Sequence, residues 1–201
     1  MNNVLRIDSS LFEENSVSQQ LTEELIDKLV GKYPNLNVKR RNLNEEGVPH
    51  LDTNWVTALS TAPEQRSEDQ RHKVSYSDQL IEELQQADIL VIGAPMYNFN
   101  VPSVLKSWFD HIARAGVTFA YTAEGPKGLL SNKTAYVITT RGGLHKDQPS
   151  DTQIPFIKNF LAFVGITDVR VIYAEGLNMG NDQRDTGLAE ARASIDELLA
   201  A

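Results

Sequence analysis

The run Ile89-Leu90-Val91-Ile92-Gly93-Ala94 limits the available folds more than any other feature of the chain, because it contains no polar side chain. A strand with one wet face alternates apolar and polar residues. A strand buried on both faces does not, and it needs helices packed above and below it. The run therefore predicts a mid-sheet strand in a layered α/β domain. Val4-Leu5-Arg6-Ile7-Asp8, Thr134 to Thr139 and Val169 to Ala174 read as further strands, and Val38 to Leu43 is polar enough to be an edge.

Helical patterns separate these runs. Ser16 stands three residues before Gln19, the spacing of a capping box, and Leu21, Leu25, Ile26, Leu29 and Val30 follow at helical spacing until Pro34. Val104, Leu105, Trp108, Phe109 and Ile112 form a second amphipathic face, with Pro102 in its first turn. Ile154 to Val164 and the set Leu188, Ala191, Ile195, Leu198 and Leu199 complete the series. Strands alternating with helices imply right-handed βαβ units and a parallel sheet. Five strands suggest one doubly wound flavodoxin-like α/β domain over residues 1–201, strand order 2-1-3-4-5, with helices on both faces. The ligand crevice of such a sheet opens at the carboxyl ends of strands 1 and 3. Residues Asn44 to Tyr76 break the pattern, being polar and turn-rich around Pro49, Trp55 and Pro63. So long a connection is functional or partly ordered into short helices; it is expected to cover the active site or a subunit contact, or else to be a solvated insertion.

Composition narrows the chemistry. With no cysteine, thiolate nucleophiles, CxxC couples and cysteine-ligated metals are excluded, so redox chemistry here needs a borrowed cofactor. A net charge of −8 without an offsetting basic cluster argues against nucleic acid as a partner. No apolar stretch approaches the roughly 18 residues of a membrane span. Arg6 and Asp8 interrupt the first apolar run, which argues against a secretory signal and makes the cytoplasm the expected compartment.

Three loops follow strands 1, 3 and 4. The first, Ser9 to Ser18, leads into a helix N-terminus whose free N–H groups suit a phosphate, and Ser10, Ser16 and Ser18 add hydroxyls. It has neither the GxGxxG nor the GxxxxGK[ST] pattern; read alone, Ser16 is more readily a simple helix cap. The second, Ala94-Pro95-Met96-Tyr97-Asn98-Phe99-Asn100-Val101-Pro102, mixes flat apolar groups with amides. A flavin ring needs that mixture: a shaped apolar slot for its faces and directed hydrogen bonds at its pyrimidine edge. The third, Thr139-Thr140-Arg141-Gly142-Gly143-Leu144-His145, has paired glycines that admit close approach of a planar ligand or merely make a turn.

The segments Pro95-Met96-Tyr97-Asn98-Phe99-Asn100, Thr140-Arg141-Gly142-Gly143 and Ala115-Gly116-Val117-Thr118-Phe119 resemble the FMN-dependent NADH:quinone oxidoreductases, also called FMN-dependent azoreductases, over essentially the whole chain. The resemblance implies a tightly but non-covalently held FMN, with its phosphate at Ser10, Ser16, Val17 and Ser18. It sets the ring against Pro95, Met96, Tyr97, Asn98 and Phe99 and against Thr140, Arg141, Gly142 and Gly143. It further implies a homodimer, NADH or NADPH as donor, quinone or azo compounds as acceptors, and a ping-pong order. Chemistry would then reside at N5 of FMN, with no amino-acid nucleophile, general base or metal. His145 and the Gly142 and Gly143 amides are candidates to face the N1–C2 carbonyl edge, although a loop histidine is often only solvated. Phe119 and Tyr121 are candidates to wall the substrate pocket, or ordinary packing residues.

A flavodoxin-type electron carrier is the alternative reading. Its Gly- and Thr-rich phosphate loop is missing here. A receiver domain needs a carboxylate where strand 3 ends Ala94-Pro95, and serine hydrolases and zincins need GxSxG or HExxH, both absent.

Overall fold

The computed structural model describes residues 2–12 and 15–200, so Glu13 and Glu14 of the first loop lie outside the described residues. Seven strands occur among the described residues: β1 (Asn3–Asp8), β2 (Asn37–Asn42), β3 (Ile89–Gly93), β4 (Phe119–Thr122), β5 (Gly125–Gly128), β6 (Thr134–Thr140) and β7 (Asp168–Ala174). Five of them form one parallel sheet, β2-β1-β3-β6-β7, while β4 and β5 make a separate antiparallel hairpin. Leaving out the hairpin, this is the expected doubly wound order. The winding reverses between β1 and β3, which run in register from Val4↔Ile89 to Asp8↔Gly93.

The apolar β3 run behaves as its composition requires. Ile89 and Val91 enter a core with Leu21, Leu25, Leu29 and Ile195, from helices α1 (Val17–Lys32) and α7 (Asn181–Ala200). Leu90 and Ile92 enter the opposite core with Leu80, Leu84, Leu105, Trp108 and Leu161. That second layer comprises α4 (Glu68–Gln86), α5 (Ser103–Ile112) and α6 (Gln153–Val164), with two short helices, α2 (Leu43–Glu46) and α3 (Thr53–Ser60), beside it. No described helix is long and apolar enough to cross a membrane.

One local expectation is met in part and three are corrected. Residues 44–76 hold the short helices α2 and α3 and a 3-10 turn at Pro63–Gln65, together with the start of α4, a long crossover helix the polar composition concealed. Its Ser67–Gln70 capping box is complete in both directions. At Ser16 the box is only half made: Ser16 Oγ accepts the Gln19 N–H, and Gln19 Nε2 is buried without a partner among the described residues. Val30, expected on the buried face of α1, is 38% exposed. Pro102 is the residue before α5, where a missing N–H is harmless, rather than within its first turn.

Edge strand β2 is strongly basic. Lys39 Nζ and Arg41 reach Glu83 at 2.9 and 2.6 Å, and Arg40 Nε reaches the buried Asp8 at 2.7 Å.

Helix α3 is docked through aromatics. The Trp55 and Tyr76 rings meet buried His111 edge-on at 4.5 and 5.3 Å, and His111 Nε2 donates to the Pro49 carbonyl at 2.9 Å. His111 Nδ1 is buried with no partner among the described residues, so a second ring proton would have nothing to bind. Desolvation holds the imidazole below its ordinary pKa, with the Pro49 carbonyl acting weakly the other way. A depressed histidine contributes stability that is present above the unfolded value of about 6.5 and lost as pH falls toward the folded one. Acidification below about pH 6.5 is therefore expected to red-shift tryptophan emission as Trp55 undocks. A His111→Phe chain with an unchanged transition would show that another group is responsible.

Candidate active site

The three expected loops converge on one cleft at the carboxyl end of the sheet. Two adjoining cavities, of about 460 and 790 Å³, share Phe12, Met96 and Tyr97. The smaller is bordered by Ser10, Ser16, Val17, Pro95, Thr140, Arg141 and Gly142, and by Leu177, Asn178 and Arg184. The larger continues over Asn98, Asn100 and Lys106 to Phe156.

The phosphate end follows from helix α1. Its first turn carries no acidic residue, so the N-terminal partial charge is unopposed. Ser10, Ser16 and Ser18 are all buried, and the Ser16 and Ser18 hydroxyls lie 3.0 Å apart. Ser10 Oγ and Tyr97 Oη are 3.4 Å apart, and Tyr97 Oη accepts the Leu11 N–H at 3.2 Å. The first loop is thereby tied to the second.

The second loop is strained where the slot forms. Asn98 and Phe99 both adopt positive φ, 49° and 68°. Asparagine tolerates this region, whereas phenylalanine enters it at a cost. Tyr97 and Asn100 close the turn with reciprocal backbone hydrogen bonds of 2.9 and 3.1 Å. Phe99 is 56% exposed, and its ring meets His145 edge-on at 5.8 Å.

The third loop is held from behind. Arg141 borders the cavity through its place in the chain, but its guanidinium is fully buried and turned away. It pairs with Asp151 at 2.7 Å and Glu175 at 3.1 Å. Glu175 Oε1 also accepts the His145 and Lys146 N–H groups at 2.8 and 2.9 Å. His145 Nδ1 lies 2.9 Å from Ser150 Oγ. Arg141 is thus a structural keystone of the loop rather than a side chain aimed at a ligand.

The remaining expectations divide. Ser18, Phe99 and Gly143 stand next to cavity-lining residues without lining either cavity, and His145, against the Phe99 ring, lines neither. Phe119 and Tyr121 are not brought to the cleft of this chain: Phe119 is buried against Phe163 at 4.3 Å, and Tyr121 is 75% exposed. Arg184 was missed by sequence reasoning. Within α7 it has the look of any solvated arginine, and only the packing of α7 beside α1 places it on the cavity. No group of acidic or histidine side chains suited to a metal occurs among the described residues. The donor set fits a flavin mononucleotide: hydroxyls and a helix N-terminus at one end, flat apolar walls and amides at the other.

The comparisons agree with the geometry. A family described as having a flavodoxin-like fold matches residues 2–199. The FMN-dependent NADH:quinone oxidoreductase of Saccharophagus degradans is 51% identical over 204 residues, covering 98% of this chain and 92% of that protein. Its namesake in Cellvibrio japonicus is 50% identical over 201 residues and the whole of both chains. The solved azoreductase of Bacillus anthracis superposes with a TM-score of 0.89 at 26% identity, covering 98% of each chain.

Proposed function

The chain belongs to the family of flavodoxin-like FMN-dependent NADH:quinone oxidoreductases, and from that premise we propose that it passes reducing equivalents from NADH or NADPH to quinones and azo compounds in a ping-pong order. The observation that carries the reading is the convergence of the serine-lined α1 N-terminus and the Met96–Asn98 slot on one continuous cleft. When bound, FMN supplies the electron-accepting and electron-donating chemistry, and the protein supplies position and electrostatics.

In this reading Ser10, Ser16 and Ser18 hold the phosphate, together with the Val17 backbone. Met96 and Tyr97 lie against the ring, and Asn98 with the Gly142 and Gly143 backbone serves its edge. The larger cavity receives donor and acceptor in turn, and its apolar lining makes few demands on what stacks there. Phe12, Phe99, Tyr121 and Leu144 are exposed apolar side chains that a second copy would cover, and a monomeric mass by sedimentation would count against such a homodimer.

The test is an absorbance spectrum after FMN addition and removal of free flavin, followed by NADH without oxygen. Bound flavin that bleaches with NADH is expected. Bound flavin that NADH leaves untouched would identify an electron carrier, and absence of bound flavin would sink the reading.

Arg184 adds a second check. It borders the phosphate end, has no ion-pair partner among the described residues, and is the only other arginine of that cavity besides the engaged Arg141. A hydrogen bond to a charged group contributes about 1.5–3 kcal/mol. Arg184→Gln is therefore expected to weaken FMN binding roughly ten- to a hundredfold while leaving riboflavin, which lacks the phosphate, unaffected. Equal losses for both flavins would remove Arg184 from the phosphate site.

A further inference from the structure

We propose that Thr152 and Gln153, at the start of α6, are positioning residues that clamp the strained Ala94–Phe99 loop in its ligand-ready shape. Gln153 is fully buried beneath the cleft. Its Nε2 donates to two successive carbonyls, Ala94 at 3.0 Å and Pro95 at 3.1 Å. Its Oε1 accepts the Thr139 hydroxyl at 2.7 Å, and Arg141 Nη2 stands at 3.5 Å. One amide thus joins the base of the second loop to the end of β6, from which the third loop departs. The neighbouring Thr152 Oγ1 donates to the Phe99 carbonyl at 2.5 Å, at the far end of the same loop.

The two contacts bracket the left-handed pair Asn98–Phe99. A backbone in a sparsely populated region persists only where its surroundings over-determine it. The reciprocal Tyr97–Asn100 hydrogen bonds close the turn but do not orient it toward the cleft. The carbonyls at both ends, held from α6, do. Since Asp151 of the same segment grips Arg141, residues 151–153 register both loops against one helix end. Neither Thr152 nor Gln153 lines the cavities, so they act through the loop and not on a ligand.

Three full-length variants test the clamp: Thr152→Val, Thr152→Ser and Gln153→Met. The first readout is amide hydrogen exchange in the flavin-free protein, at Tyr97 and Asn100 against the β3 amides. Thr152→Val and Gln153→Met are expected to speed exchange at Tyr97 and Asn100 about tenfold, the loss of one hydrogen bond's protection, with β3 unchanged. Thr152→Ser is expected to match the wild type. The second readout rests on the FMN reading: the FMN dissociation constant rises about tenfold in Gln153→Met and returns to the wild-type value in Thr152→Ser relative to Thr152→Val. Exchange that is unchanged in both variants, or that rises equally in β3, overturns the clamp. If the wild type binds no FMN, the functional reading falls and the exchange measurement still decides the clamp. Should Gln153→Met not fold, the exposed Thr152 pair carries the same comparison.

Discussion

The Arg141→Met chain is expected to melt roughly 10 °C below the wild type, a loss of about 3–5 kcal/mol for removing one partner of a buried ion pair. Methionine keeps the apolar stem and deletes the charge. Asp151 and Glu175, both largely shielded, are then left without their cation in a poorly solvated site. Because Glu175 Oε1 also anchors the His145 and Lys146 amides, the loop should loosen along with the global loss. Differential scanning calorimetry on Arg141→Met, and on the triple variant with Asp151→Asn and Glu175→Gln, separates charge from packing. Partial recovery in the triple variant is expected, since neutral amides tolerate the missing guanidinium better than carboxylates do. A single variant that melts within a degree or two of the wild type would show that the triad is idle.

Gly128→Ala is the second large loss. A Cβ there would stand 2.1 Å from Gly165 N, 2.3 Å from Gly165 Cα and 2.4 Å from Val164 C. These are backbone atoms at the end of α6, with no flexible side chain to yield. Gly165 itself has φ of 105°, a conformation L side chains rarely adopt, so the helix end cannot readily rearrange. Overpacking of this kind costs about 1–3 kcal/mol or more, and relief requires the β4–β5 hairpin to lift from α6. Separation of Phe119 from Phe163 would accompany the lift. Gly31→Ala is the control: nothing lies within 4 Å of its Cβ position, and a helical glycine replaced by alanine gains about 0.5–1 kcal/mol. If Gly128→Ala were as stable as Gly31→Ala, the close backbone approach would have to be wrong.

The sheet was legible because its core strand is apolar without interruption, and the cleft because doubly wound sheets open at a known place. Serine, aromatic and glycine-rich loops were then identifiable by position. Helix α4 escaped because its exposed side is so polar, although Ser67, Gln70, Val74, Leu80 and Leu84 held its cap and periodicity. The hairpin escaped for a different reason. Gly125-Pro126-Lys127-Gly128 has no strand-forming residue, and it is extended because Gly128 can touch Gly165. Gln153 and Arg184 are long-range facts: each looks like an ordinary helix residue until the topology places it under, or beside, the cleft. Arg141 was found by position, but local sequence does not say which way a guanidinium turns, and its pairing with Asp151 and Glu175 is visible only in the fold.

Strand β2 pairs with β1 on one side only, and its open side is an unpaired row of amides and carbonyls of the sort that recruits other strands. The Lys39-Arg40-Arg41 sequence on that strand is a guard against such recruitment. A neighbouring molecule approaching edge to edge would have to strip water from Lys39 and Arg40, about half exposed as they are, and disturb cations already committed to Glu83 and Asp8. Sheet extension between molecules is thereby penalised. The charges that keep this border closed are also ones the acidic chain can spare, so solubility and specificity of association are served by the same short stretch.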